Sequence, residues 1–244
     1  MISVITVVYN GFNTIERTMA SITSQTYPNL EYIIVDGGSQ DGTINLIKKH
    51  ESGITKWISE PDKGLYDAMN KGIALSSGEY LWFINSGDEI AAPDVLEKVF
   101  HGDNNADFYY GETVVVDGDG KVLGNRRLQP PAHLVWKDFR KGMLVSHQSV
   151  IIKKEICDFY DTSYRFSADY QWVLTALKKS TNIENTNMVL SIFLEGGLTR
   201  KNILPGLKER FRIMVKHFGL WQTTLSHIPI AFRFAGYYFK HGRF

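Results

Sequence analysis

Four aspartates occupy places in this 244-residue chain where a carboxylate can do chemistry. Asp36 and Asp88 follow short runs of large apolar residues, Asp62 lies in a polar segment, and Asp169 begins an amphipathic one. Carboxylates gathered at one edge of a sheet repel one another unless a cation neutralises them. Sparse oxygen ligands completed by substrate phosphates suit Mg²⁺ or Mn²⁺, whereas zinc prefers Cys and His clusters, which the chain lacks. The pattern predicts a divalent-metal and phosphate site.

Each aspartate also has a plain structural interpretation. Asn85-Ser86-Gly87-Asp88 and the Asp-Gly-Gly at Asp36 are ordinary turn sequences. Asp62 with Lys63 fits a solvated surface turn, and Asp169 fits a charge that the dipole favours at a helix start. The functional interpretation therefore requires the fold to bring these positions together.

The segments between the first three aspartates alternate between strand and helix patterns. Buried strands are predicted at 2–8, 32–35, 55–59 and 80–84, and helices beginning at Asn13, Thr43 and Leu65. This alternation predicts an α/β fold with a mostly parallel central sheet flanked by helices. In such sheets ligands bind outside the carboxyl ends of the strands, where Asp36 and Asp88 would lie.

The second half of the chain has a different pattern. Strands over 113–116 and 121–123 flank Asp117-Gly118-Asp119-Gly120, which predicts a hairpin. Ser167 is predicted to cap the helix that carries Asp169 in its first turn. We therefore divide the chain into a first half over 1–110, a smaller α+β half over 111–200 and a helical tail over 201–244.

Composition excludes some classes of function. A net charge of +1 with 22% charged residues argues against nucleic acid as a partner. Cys157 is the single cysteine, which excludes an internal disulfide and fits a reducing compartment. No secretory signal follows Met1, and no apolar run reaches the roughly 18 residues of a spanning helix. We expect a cytoplasmic protein that is soluble or lies on the inner face of the cytoplasmic membrane.

The tail over 201–244 is basic and aromatic. Its Lys and Arg residues face a single acid, Glu209, and are interleaved with Phe, Tyr and Trp. This composition is typical of a helix that lies in an anionic bilayer interface, a location that would suit a lipid-linked acceptor. The alternative is an amphipathic helix packed on its own domain or on a second subunit of a homodimer. The Gly196-Gly197 loop before the tail fits either a lid or a plain loop.

Neither familiar phosphate-binding loop is present. Gly37-Gly38 follows a strand, but the three spaced glycines of the dinucleotide fingerprint and the Gly-Lys-Ser/Thr of a P-loop are missing. Phosphates would then be held by a metal ion and basic side chains.

Four ordered motifs give the chain a family resemblance. They are Val7-Val8-Tyr9-Asn10, Val35 to Thr43, Asp62 to Gly72, and Asn85-Ser86-Gly87-Asp88. Together they resemble the family 2 glycosyltransferases of GT-A fold, and in particular bacterial enzymes that build capsular or exopolysaccharide repeat units such as colanic acid. The likeness is dense from residue 1 to about 100 and thinner through Leu198.

The resemblance implies a hexosyltransferase that moves a sugar, with inversion, from a UDP- or GDP-sugar to a hydroxyl of a glycan or lipid-linked acceptor. It implies that six residues bind the nucleotide sugar: Val7, Tyr9, Asp36, Asp62, Lys63 and Asn85. Among them, Asp36 would hydrogen-bond the nucleobase. Asp88 would hold Mg²⁺ or Mn²⁺ between the two phosphates, and His147 would add a further metal or phosphate contact. Asp169 would be the general base.

Two motifs depart from the family pattern. The acidic pair expected near the metal is Asn85-Ser86-Gly87-Asp88 here, and the Glu-Asp of the base motif is Ala168-Asp169. For His147 the alternative is a satisfied, buried histidine. One rival function is therefore a noncatalytic sugar-nucleotide or glycan-binding module. The other is a sugar-1-phosphate nucleotidyltransferase, which should carry a Gly-rich, Arg-containing loop where this chain has Tyr9-Asn10-Gly11-Phe12.

Overall fold

The protein is described here from a computed structural model that covers residues 1–102, 105–196 and 203–229. The strands are β1 Ile2–Val8, β2 Leu30–Asp36, β3 Lys56–Ser59, β4 Tyr80–Phe83, β5 Glu89–Ile90, β6 Phe108–Val116, β7 Val122–Asn125, β8 Val150–Lys153 and β9 Ile183–Leu194. The helices are α1 Ile15–Thr23, α2 Thr43–Lys49, α3 Leu65–Leu75, α4 Val95–Val99, α5 Ala168–Lys179 and α6 Ile203–Phe218. Residues 220–229 are also helical.

All nine strands belong to one sheet, in the order β3-β2-β1-β4-β8-β6-β9-β5 with β7 paired to β6. The first four strands are parallel, which confirms the predicted alternation of strands and helices. β8 then enters antiparallel to both β4 and β6, so the sheet is mixed. The carboxyl ends of β2, β1 and β4 therefore lie side by side and carry three neighbouring loops.

Two apolar layers cover the sheet, which explains why β1 is buried along its whole length. One layer contains side chains from α3, α5 and α6, including Met69, Val173 and Met214. The other contains side chains from α1 and α4, including Met19 and Leu96. Because successive strand residues point to opposite faces, β1 contributes apolar side chains to both layers.

Several predicted details differ from the structure. The predicted strand over 113–116 is the second half of a longer strand, β6, whose pairing with β9 shifts register around Gly111. Ser167 is the N-cap residue of α5, as predicted, but its side chain makes no capping hydrogen bond. Its hydroxyl instead donates to the Gly206 carbonyl at 3.1 Å, which ties α6 to the start of α5.

The tail is helical over 203–218 and 220–229, as predicted. The predicted Gly196-Gly197 loop beyond Gly196, and the basic and aromatic residues after 229, lie outside the described residues. Within the described ranges, no helix is both long enough and apolar enough to cross a membrane.

Glu31 links the parallel strands at the end of the sheet opposite the loops. Its carboxylate accepts bonds from Lys56 Nζ at 2.7 Å and from the Ser77 amide at 2.8 Å, and it also binds the Ser3 hydroxyl. Burial alone raises the pKa of Glu31, but Lys56 and these donors outweigh burial and lower the pKa to about 2. The ionised carboxylate therefore stabilises the folded state.

Glu31→Gln is expected to lower the free energy of unfolding at pH 7 by about 2 kcal/mol, after allowance for solvent screening at the half-exposed Lys56. Because the folded pKa lies below the unfolded value, this stabilisation is complete above about pH 4.5 and fades as pH falls toward 2. Denaturant unfolding of both proteins at pH 7 and pH 3.5 measures it, with the exposed Glu79→Gln as control. An equal difference in the free energy of unfolding between wild type and Glu31→Gln at the two pH values would contradict the lowered pKa of Glu31.

Candidate functional site

Asp36 ends β2 and is fully buried. Its Oδ2 accepts hydrogen bonds from the amides of Gly38 and Ser39 at 3.0 and 2.9 Å and from the Ser59 hydroxyl at 2.6 Å. Gly38 has a φ of +83°, a conformation that glycine adopts without strain, and it lets the chain fold back over the carboxylate. The other oxygen, Oδ1, is buried and has no hydrogen-bond partner. Asp36 therefore keeps one free acceptor in a rigid setting.

Asp62 and Tyr9 lie beside the loop that follows Asp36. A Cβ atom at Gly37 would collide with the Asp62 carboxylate and would lie 3.4 Å from the Tyr9 ring. Glycine at this position is therefore what allows three loops to meet. Asp62 Oδ1 accepts a bond from the Gly64 amide at 2.7 Å, and the Tyr9 ring is 66% exposed beside this site. An exposed aromatic next to a buried acceptor provides a stacking surface for a planar ring.

Hydrogen bonds join the loops that follow β1, β2 and β4. The Asn10 amide donates to the Ser39 hydroxyl at 2.7 Å, which links the first two loops. The Thr14 and Ser86 hydroxyls lie 2.9 Å apart, which links the first loop to the third. The structure thus brings the predicted positions Tyr9, Asp36 and Asp62 and the 85–88 turn to one edge of the sheet.

Asp88 follows β4 in a turn closed by its own amide, which donates to the Asn85 carbonyl at 2.9 Å. Its carboxylate accepts bonds from Gln148 Nε2 at 2.9 Å and from the Leu194 amide at 3.2 Å. Burial raises the pKa of Asp88 to about 7 against those two hydrogen bonds. A nearby cation would lower it again. Asn85 Oδ1 is a second oxygen of this turn, buried and without a hydrogen-bond partner.

The residues described here contain no cluster of three or more His, Cys, Asp and Glu side chains that could hold a metal ion. Asp88 and Asn85 together offer one carboxylate and one amide oxygen. Mg²⁺ is commonly held by one or two carboxylates and completed by water and substrate phosphates. The turn therefore fits an ion that a substrate phosphate also binds. It does not by itself supply all the ligands of a metal ion.

The remaining predicted nucleotide-sugar residues lie near the same edge. Val7 is buried in β1, and its carbonyl accepts a bond from the Ser86 amide at 3.2 Å. Lys63 is exposed, and its backbone amide donates to Asp67 at 3.0 Å. Lys63 therefore presents its ammonium group to solvent from the loop of Asp62.

His147 lies in an aromatic cluster between the end of β4 and α5. Its Nε2 is 2.6 Å from the Tyr160 hydroxyl, and its ring centroid lies 5.4 Å from that of Phe83 and 5.6 Å from that of Trp172. Burial lowers the pKa of His147 to about 4, so the imidazole is neutral. These contacts are those of a satisfied, buried histidine. The adjacent residue, Gln148, is the one that reaches Asp88.

Asp169 lies in the first turn of α5 and is partly exposed. Its Oδ1 accepts bonds from the Tyr66 hydroxyl at 3.2 Å and from the Tyr170 amide at 2.8 Å. No hydrogen bond from a described residue reaches Oδ2. Tyr66 belongs to α3, which begins just after the Asp62 loop. Asp169 is therefore held against the first half of the chain with one oxygen free.

Two residues that position the site were not recognised as such in the sequence. Tyr66 has the helical spacing of a core residue of α3 and is buried, but its hydroxyl also orients Asp169. Glu209 is the lone acid of the basic tail, and its carboxylate accepts bonds from the Arg165 and Phe166 amides at 2.9 and 2.8 Å. The signal in the sequence was that Glu209 is the single acid of a basic tail.

The arrangement offers a fixed set of chemical groups. One edge of the sheet carries a buried acceptor, an exposed aromatic ring, a carboxylate turn and a solvent-facing ammonium group. A separate carboxylate with a free oxygen faces the edge from α5. Such groups suit a ligand with a planar base and phosphates, together with proton transfer at a second substrate.

Comparison with known proteins agrees with this description. The family description "Glycosyl transferase family 2" matches residues 3–162. An uncharacterized glycosyltransferase of Mycobacterium tuberculosis is 33% identical over 182 residues, covering 72% of this chain and 68% of the relative. The Escherichia coli enzyme UDP-Glc:alpha-D-GlcNAc-diphosphoundecaprenol beta-1,3-glucosyltransferase is 26% identical over 190 residues, covering 78% of this chain and 75% of the relative.

Solved structures share the fold. The Staphylococcus aureus TarS 1–349 complex with UDP superposes with a TM-score of 0.68 at 16% identity, covering 88% of this chain. The present chain spans less than two thirds of that structure, 64% of its length. The mannosyltransferase PcManGT of Pyrobaculum calidifontis, in complex with GDP-Man and Mn²⁺, has a TM-score of 0.61 at 14% identity and covers 96% of this chain and 75% of its own. The predicted GT-A-like fold is confirmed.

Proposed function

The chain belongs to glycosyl transferase family 2, and on that premise we propose that it transfers a hexosyl group, with inversion, from a nucleotide diphosphate sugar to a hydroxyl of a lipid-linked glycan acceptor. The observation that carries the proposal is Asp36, whose buried Oδ1 has no partner at the sheet edge shared with Tyr9 and Asp62. A buried carboxylate oxygen without a partner is costly. An imide N–H of uracil or guanine would satisfy it.

The donor would lie across the loops that follow β2, β1 and β4. Asp36 accepts the nucleobase N–H, and Tyr9 stacks beside the base. Asp62 faces the ribose, and Lys63 extends its ammonium group toward the diphosphate. We place the sugar toward α5, near the free Oδ2 of Asp169.

The metal proposal rests on Asp88 and Asn85. Asp88 would supply a carboxylate and Asn85 an amide oxygen that has no hydrogen-bond partner, and this sparse set suits an ion that phosphates also bind. A divalent ion held there supplies positive charge against the leaving diphosphate. We leave His147 out of this set because Tyr160 already binds its Nε2.

In the chemical step, Asp169 takes the proton of the acceptor hydroxyl through Oδ2. The hydroxyl oxygen attacks the anomeric carbon from the face opposite the diphosphate. A new C–O bond forms as the bond from carbon to phosphate oxygen breaks, and the nucleoside diphosphate leaves with that electron pair. Tyr66 and the Tyr170 amide hold Oδ1, so Oδ2 is aimed at a single position.

The lipid-linked acceptor and a role in surface polysaccharide synthesis are proposed from the Escherichia coli relative, which is named for a diphosphoundecaprenol-linked acceptor. Family membership favours this transferase over the nucleotidyltransferase that the sequence left open. It leaves the noncatalytic binding module as the rival that an activity assay must exclude.

The test is release of the nucleotide. The purified protein is incubated with Mn²⁺ and UDP-glucose, UDP-GlcNAc or GDP-mannose, each with and without a diphosphate lipid that carries one GlcNAc. We expect UDP or GDP release from one donor, accelerated by the acceptor. A folded protein that binds a nucleotide sugar and never releases nucleotide would be the noncatalytic module.

We also propose that the tail lies on the inner face of the cytoplasmic membrane. Trp221 and Leu225 are 82% and 63% exposed in the helical segment over 220–229. Lys208, Arg212 and Lys216 are exposed on α6 at a spacing of four residues. Apolar side chains next to a basic face are typical of helices that bind anionic bilayers.

Trp221→Ser and Leu225→Ser are each expected to weaken binding to vesicles with anionic lipid about tenfold, since burying such a side chain contributes about 1.5 kcal/mol or more. Val122→Ser, which removes an apolar residue that is 62% exposed in β7, should leave binding unchanged. Vesicle co-sedimentation measures this. If these two variants bind vesicles as wild type does and their mass in solution falls to that of a monomer, the exposed apolar surface contacts a second subunit.

A further inference from the structure

Two arginines near Asp169 have guanidinium nitrogens that lack partners. Arg126 follows β7, and its Nη2 donates to the Met143 carbonyl at 3.1 Å, while its Nη1 is buried without a hydrogen bond. Arg210 lies on α6, and its Nε is likewise buried without a hydrogen bond. Both residues are partly exposed as a whole, and each guanidinium has one buried nitrogen without a hydrogen-bond partner.

The two arginines repel each other electrostatically, and their positive charges are poorly balanced. No ion pair among the described residues includes either arginine. Burial and then the charge of Arg210 lower the pKa of Arg126 to about 10, while Asp169 acts in the opposite direction and Arg127 adds to the lowering. One carboxylate thus faces more than one guanidinium, and the region attracts an anion.

The pair adjoins the proposed general base. The Arg210 guanidinium lies 5.3 Å from the centre of the ring of Tyr170, the residue after Asp169. Glu209, its neighbour on α6, holds the loop before α5 by its bonds to the Arg165 and Phe166 amides. The position of Arg210 is therefore set by the same contacts that fix the start of α5.

Unpaired donors at such a place require a ligand. A buried N–H without an acceptor costs about 1–3 kcal/mol, and more for a charged group. The planar guanidinium matches the oxygens of a phosphate or a carboxylate and can bind either with two hydrogen bonds. Carboxylates of the chain do not fill this role, because none of those described lies within ion-pair distance of either arginine.

We propose that Arg126 and Arg210 form a phosphate-binding subsite beside Asp169 that holds the phosphate of the acceptor. The proposal rests on the proposed function, because it takes the acceptor hydroxyl to lie at Asp169. The donor diphosphate is assigned to the Asp88 turn, so the phosphate at the arginines belongs to the second substrate. An acceptor whose reactive sugar is attached to a lipid through phosphate would be anchored at these residues.

Calorimetric titration of inorganic phosphate into the protein tests the subsite, once without nucleotide and once with saturating UDP and Mg²⁺. Wild type is expected to bind phosphate in both conditions. Arg126→Gln and Arg210→Gln are each expected to weaken phosphate binding at least tenfold, which corresponds to about 1.4 kcal/mol, the scale of one charge-assisted hydrogen bond. Lys48→Gln, on an exposed position of α2, should bind phosphate as wild type does.

Further measurements distinguish a lipid phosphate from the phosphates of the nucleotide and control for misfolding. Geranyl diphosphate should displace inorganic phosphate from UDP-saturated wild type, as expected for a lipid phosphate. Arg210→Lys, which keeps the charge, should recover part of the affinity.

Unchanged phosphate affinity in both Gln variants, or no phosphate binding once UDP is bound, would overturn the proposal. Equal losses of UDP and phosphate affinity would assign the arginines to the donor. Absence of UDP binding to wild type, with phosphate binding intact, would count against the proposed function alone.

Discussion

Asp169→Asn is expected to lower the rate of sugar transfer by about 10²–10⁴-fold, the range of a lost general base. Asparagine keeps the shape of the side chain, and its carbonyl oxygen can still accept the bonds from Tyr66 and the Tyr170 amide. Its amide nitrogen replaces Oδ2 and cannot take a proton from the acceptor. Affinity for UDP or GDP should stay within about twofold, because the donor loops follow β1, β2 and β4 and not α5.

Nucleotide release in the presence of acceptor measures this effect at saturating donor. Asp158→Asn is the matched control, because that aspartate lies near the same helix and pairs with Lys179 at 2.7 Å on the surface. The base assignment would be wrong if the Asn variant retained a tenth or more of the wild-type rate.

Asp36→Asn is expected to lower the affinity for UDP and GDP by about 100-fold, the equivalent of two to three kcal/mol for a charged hydrogen bond turned into a donor-donor contact. The Asn carbonyl oxygen can still accept from Gly38, Ser39 and Ser59, which preserves the loop. The amide nitrogen then replaces the unpartnered Oδ1 and opposes the N–H of the nucleobase.

CDP is the sharpest control for this prediction. Cytosine presents an acceptor at the ring position where uracil presents an N–H, so the variant should prefer CDP to UDP where wild type prefers UDP. Calorimetry measures the affinities of wild type and Asp36→Asn for CDP, UDP and GDP. A variant with unchanged affinity for all three would place the base elsewhere.

Local patterns predicted the donor half of the fold well. The start of α3 at Leu65 and the buried strand β1 match the prediction, because apolar periodicity and turn residues act over a few positions. The edge that carries Asp36 and Asp88 followed from the parallel order of the strands. Those features depend on neighbours in sequence.

Long-range contacts were beyond such patterns. The bond from Tyr66 to Asp169 joins residues 103 positions apart, and the one from Gln148 to Asp88 joins residues 60 apart. β8 inserts antiparallel beside β4 although its apolar run differs little from those of the parallel strands. Ser167 bonds to Gly206 because the docked tail offers a carbonyl there. Each outcome depends on tertiary packing, which periodicity does not encode.

The measurement that tests the central claim most directly is calorimetric titration of wild type and Asp88→Ala with UDP and GDP, each with and without Mn²⁺. We expect wild type to bind one of the two nucleotides, with an affinity that Mn²⁺ raises. In Asp88→Ala the gain from Mn²⁺ should vanish while the metal-free affinity remains. Absence of nucleotide binding by folded wild type in every condition would contradict the account, and an equal Mn²⁺ effect in both proteins would contradict the role of Asp88.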